Sequence, residues 1–177
     1  MRTGLGGWGH LAARLFEVAA ARELSPREQA EVAGLLRPEE SRCFWGQPAA
    51  DQRHGLAAAR HVLRAAPGRR DLARAALLHD VGKRHARLGP LGRSIASALA
   101  KVGLPAGRRG RLYLEHPALG ARDLRQVGAE ALVVDFARRH HQEPPLEADL
   151  RDWALLRRSD RAKGAARRDP PNSMTAR

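Results

Sequence analysis

Apolar residues recur three and four apart along most of the chain, the spacing of one buried face on an α-helix. It predicts helices over 8–24, 26–36, 49–66, 72–79, 95–102, 117–128, 129–140 and 146–160. The buried stripes are Leu11, Leu15, Phe16 and Val18 in the first, Leu56, Ala57, Val62 and Leu63 in the third, and Leu150, Trp153, Ala154 and Leu156 in the last. Ser25-Pro26-Arg27-Glu28 has the form of a capping box with proline at the first helical position. Asp71 is placed to cap the helix that follows Pro67-Gly68. Arg37 to Pro48 is expected to be a connector in which Phe44 and Trp45 plug the core, and 84–90 and 105–110 are expected to be loops. Ala131 to Val134 is the stretch nearest to a strand, and its neighbours are helical, so the fold class is all-α.

Composition narrows this picture. Hydrophobic residues make up 43% of the 177 and aromatics only 4%, so the core is built from Ala, Leu and Val, which suits closely packed helices. The length fits one domain: an N-terminal helical extension over 1–48, the main domain over 49–161 and a disordered basic tail over 162–177. Cys43 is the only cysteine, so no intrachain disulfide forms, and a cytoplasmic location is expected. The Gly-rich start, interrupted by Arg14, Glu17 and Arg22, does not resemble a signal peptide, and no uncharged run is long enough to cross a bilayer.

Net charge is +13, nearly all of it from arginine, a field that attracts phosphates, nucleotides or nucleic acid. The basic residues are scattered and no aromatics interleave with them, so a nucleic-acid partner is possible but not favoured.

The chemistry lies at the helix ends. Ala75-Ala76-Leu77-Leu78-His79-Asp80-Val81-Gly82-Lys83 takes an apolar helix into an adjacent His-Asp pair. Alone this is an ordinary surface pair closing a helix. Four further points accompany it, His54, His116, His140-His141 and Asp160, each in or at the end of a separate apolar helix. So many polar groups on buried faces would each destabilise the fold unless paired. A shared divalent metal pairs them together, since imidazole and carboxylate are both good ligands. His10 is read as a surface or packing residue, His61, a heptad beyond His54, is the less favoured functional candidate, and His85 falls in the 84–90 loop.

This ordered set resembles the HD-domain superfamily of metal-dependent phosphohydrolases. The match comprises Asp51-Gln52-Arg53-His54-Gly55-Leu56, then His79-Asp80-Val81-Gly82-Lys83, then Leu155-Leu156-Arg157-Arg158-Ser159-Asp160. His116-Pro117-Ala118-Leu119-Gly120 and His140-His141-Gln142 are similar to the extra histidine segments of its two-metal members. The resemblance implies an HD-domain helical bundle and a cytoplasmic phosphohydrolase. It implies one or two divalent ions (Mn, Fe, Co, Ni, Zn or Mg). His54, His79, Asp80 and Asp160 would hold the first. Asp80 would bridge to a second, held also by His116, His140 and His141. Lys83 would contact a phosphate oxygen, and the substrate would be a phosphate mono- or diester of a nucleotide or other small molecule. The Gly-Tyr-Pro loop of the cyclic-dinucleotide phosphodiesterases is replaced by Gln142-Glu143-Pro144-Pro145, which argues against that substrate. The alternative is a non-catalytic, regulatory HD module that binds nucleotide or nucleic acid.

Overall fold

The computed structural model describes residues 23–161. The helix expected from residue 8 and the basic tail lie outside the described residues, except that Glu23 and Leu24 are not helical. Among the described residues, nine α-helices and two 3₁₀ turns form an all-α bundle with no strand. The helices are α1 (Pro26–Leu35), α2 (Ser41–Trp45), α3 (Ala49–Ala65), α4 (Arg70–Leu78), α5 (Pro90–Lys101), α6 (Gly107–Leu114), α7 (His116–Gln126), α8 (Ala131–Arg139) and α9 (Leu150–Arg161). The 3₁₀ turns span Pro38–Glu40 and Val81–His85. Among the described residues no helix is long and apolar enough to cross a membrane.

The bundle is organised around α4. Leu72, Ala73, Ala75, Ala76, Leu77 and Leu78 are all buried, and α4 packs against α3, α8 and α9. A helix covered on so many sides must be short and small-residued, and the alanines provide that. Losing one of its leucines to alanine costs about 2–5 kcal/mol. A single core cluster joins Leu24, Val32, Leu35, Cys43 and Phe44 to the later helices.

Local signals explain most helix ends. The Ser25 hydroxyl accepts from the Glu28 amide at 3.4 Å, and the Ser25 amide donates to Glu28 Oε2 at 2.9 Å, which completes the capping box. Several expectations are corrected. The connector over 37–48 contains the first 3₁₀ turn and α2, and of the two aromatics only Phe44 plugs the core, while Trp45 is 38% exposed. Asp71 does not cap α4. It lies within the first turn and accepts from Arg69, which also bonds Asp152 of α9. α5 begins at Pro90, not Ile95, because proline starts a helix without losing a hydrogen bond. The basic stretch expected as a loop over 105–110 instead contains the first turns of α6. α9 starts at Leu150, not Leu146. Leu150 and Ala154 face outward, and the buried face is Trp153, Leu155 and Leu156.

Two close backbone approaches bring the helix ends together. A Cβ on Gly55 would lie 2.5 Å from the Leu77 carbonyl oxygen, so only glycine lets α3 come this near α4. A Cβ on Gly82 would lie 2.6 Å from the Gly120 amide nitrogen, so the second 3₁₀ turn presses directly on α7. The first contact sets His54 beside His79. The second sets Asp80 beside His116.

Candidate metal centre

The helix ends converge on Asp80. His79 is the C-cap of α4, His140 the C-cap of α8, and His116 opens α7 directly after α6. A helix C-terminus leaves carbonyls without partners, and a side chain that turns back can satisfy one. Each histidine does so three residues back. Nδ1 donates to Ala76 O at 2.8 Å from His79, to Tyr113 O at 2.6 Å from His116, and to Ala137 O at 3.0 Å from His140. A carbonyl only accepts, so Nδ1 carries the hydrogen in all three. Nε2 of each ring is then turned away from that carbonyl, the arrangement by which a carbonyl on Nδ1 orients a metal-binding imidazole.

All three Nε2 atoms face the carboxylate of Asp80, which is 2% exposed. Its two oxygens divide them. Oδ2 lies 3.3 Å from His79 Nε2 and 3.7 Å from His54 Nε2, and it pairs with Lys83. Oδ1 lies 3.4 Å from His116 Nε2 and 3.6 Å from His140 Nε2. Asp160, from α9, places Oδ1 3.2 Å from His54 Nε2 and 3.1 Å from His79 Nε2. His141 is exposed, at the rim, with its ring 3.9 Å from that of His140 and 5.6 Å from that of His116.

Every site residue expected from the sequence is therefore in one cluster: His54, His79, Asp80, Lys83, His116, His140, His141 and Asp160. Two groups can hold a metal ion, His54 with His79 and Asp80, and His116 with His140 and His141. Within each group the ligand atoms lie no more than 4.8 Å apart. His61 and His85 stand outside these groups, and His85 instead bonds Asp123 at 2.5 Å.

The electrostatics differ across the cluster. Burial opposes charge on His79, but Asp80 and Asp160 outweigh it and raise the imidazole to about 10. With no metal bound and both Nδ1 and Nε2 donating, His79 is the imidazolium; an ion on this side would have to displace the Nε2 proton. Burial, helped by the charge on His79, pushes His140 down to about 3, so it is neutral. Burial would raise Asp80 and Asp160, yet the neighbouring cations and donors hold both well below the usual carboxylate range. On the Oδ1 side, His116 Nε2, His140 Nε2 and Asp80 Oδ1 are all buried with no hydrogen-bond partner. Each such group costs about 1–3 kcal/mol. Neutral His140 turns a bare lone pair toward an anionic oxygen. A cation between them satisfies both, so the donor set fits a divalent metal.

Some supporting residues carried no motif. Arg93 donates to Asp51 at 2.6 and 2.5 Å, and its guanidinium lies 5.9 Å from the Tyr113 ring centre. The three carbonyls that receive Nδ1 were open to inference from the rule that side chains at a helix end turn back on the last carbonyls. No protein-family model, curated protein or solved structure matches the chain.

Proposed function

We propose that the chain is a metal-dependent phosphohydrolase of the HD-domain type, cleaving a phosphate mono- or diester of a nucleotide or other small molecule. One observation carries this reading. A buried carboxylate has its two oxygens turned to two separate groups of imidazole nitrogens, and on the Oδ1 side none of the facing atoms has a partner. His54, His79, Asp80 and Asp160 would hold one ion, and Asp80, His116, His140 and His141 the other. A bound divalent pair supplies Lewis acidity and lowers the pKa of a coordinated water toward neutrality.

The chain's own residues do the rest. The Nδ1 bonds fix each ring before substrate arrives, so no reorganisation is needed during reaction. Lys83 uses one ammonium donor on Asp80 and has two more for a phosphate oxygen. From Val81 to Leu114 there is no acidic residue, while Lys83, Arg84, Arg87, Arg93, Lys101, Arg108, Arg109 and Arg111 are basic. That field draws phosphorylated anions toward the rim. The same charge supports the second reading, a non-catalytic module that binds nucleotide or nucleic acid.

A screen of phosphate esters with Mn²⁺, Co²⁺, Ni²⁺ and Mg²⁺, on protein purified without a histidine tag, tests the proposal. Turnover that requires added metal and vanishes in Asp80→Asn is the expected result. No hydrolysis of any ester, together with salt-sensitive RNA or DNA binding that survives Asp80→Asn, favours the second reading.

A further inference from the structure

His116 is held differently from the other two inner histidines. His79 and His140 each bond a carbonyl of their own helix and pack against Phe136, with ring centres 5.8 and 6.0 Å away. His116 instead bonds a carbonyl of the preceding helix, and its ring stacks on Tyr113 of that helix at 5.6 Å and 22°. Tyr113 thus sets both the height and the tilt of the His116 ring. It is only half-buried, on a helix of eight residues. Whatever fixes Tyr113 fixes His116.

Arg93 is in position to do this. Its guanidinium lies over the Tyr113 ring at cation–π distance. It is itself immobilised, bidentate to Asp51 and donating from Nε to Leu88 O at 2.9 Å. Asp51 stands on α3 one turn before His54, so the chain of contacts starts on the helix that carries a ligand of the other group. Lysine cannot replace Arg93, because its ammonium lacks the planar fork that matches a carboxylate in parallel and lies flat over a ring.

We propose that Arg93 is a positioning residue that, through Tyr113, holds His116 in the geometry needed to bind the ion on the Oδ1 side of Asp80. This rests on the two-ion reading above. A merely structural clamp between α3 and α5 would weaken both ions together. A positioning role weakens one.

Calorimetric titration of the chelator-stripped full chain with Mn²⁺ separates these. His116→Ala first identifies which binding step belongs to the Oδ1 side. Arg93→Ala is expected to weaken that step by about 10- to 100-fold, the usual effect of removing a group that holds a metal-binding histidine in place, with the other step within about twofold. Arg93→Lys is expected to recover little. Tyr113→Phe keeps the stacked ring and both ions, and Tyr113→Leu, at a half-exposed position, reproduces the selective loss even where Arg93→Ala does not fold. Two ions held by the unaltered chain and equally by Arg93→Ala or Tyr113→Leu would overturn the inference alone, as would equal weakening of both steps. Binding of one ion or none by the unaltered chain would overturn the two-ion reading, and the inference with it.

Discussion

The two oxygens of Asp80 look out on different surroundings. On the Oδ2 side, without metal, His79 is charged and donates hydrogen bonds from both ring nitrogens, Asp160 accepts from His54 and His79, and Lys83 closes the pair. That side is electrostatically complete within the protein. On the Oδ1 side the rings are oriented just as carefully, yet three buried polar atoms have no partner. Orientation without satisfaction is the mark of a site built for something to bind. The complete side contributes to folding by itself. The other side could recover its cost by holding a cation.

The contrast breaks most sharply if the two sides respond alike to mutation. In the presence of chelator, His79→Leu is expected to destabilise by about 3–5 kcal/mol, because it removes the buried cation that Asp80 and Asp160 share. His140→Leu is expected to cost about 1 kcal/mol or less, since it removes one carbonyl bond but also a buried unpartnered nitrogen. Urea unfolding of both variants measures the difference, and equal losses would erase the distinction. Next in size, Mn²⁺ at about a hundred times its dissociation constant is expected to stabilise the unaltered chain by about 2.7 kcal/mol per ion. Thermal unfolding reads this as a rise in midpoint, and His116→Ala is expected to lose part of the rise. The smallest effect sharpens the geometry. Gly82→Ala must push the 3₁₀ turn off α7, at about 1–3 kcal/mol, and moves Asp80 from His116 more than from His79. Its Mn²⁺ affinity is therefore expected to fall on the Oδ1 side first.

Much of this was legible in the chain. Helical spacing sufficed for the all-α class, and each histidine or aspartate that ends an apolar helix sits in the cluster. A helix end is where the backbone changes direction, so chemistry there can converge from several elements at once. What stayed hidden depended on tertiary contact. Arg93 is surrounded in sequence by outward-facing Leu91 and Ile95, and nothing local marks its side as the inward one. Tyr113 gains its role from a ring that belongs to the next helix. The apolar residues Ile95 and Val102 that suggest a later start for α5 face solvent. Leu150 misled in the same way, since the inward face of α9 is set by Trp153, Leu155 and Leu156.

The central proposal is that Asp80 would help to hold each of two divalent ions. Elemental analysis of the tag-free chain after equilibration with Mn²⁺ and removal of free metal tests it most directly. About two ions per chain, falling to one or none in Asp80→Asn while the helical content is kept, is the expected result. No retained metal in the unaltered chain, or an unchanged count in Asp80→Asn, would contradict it.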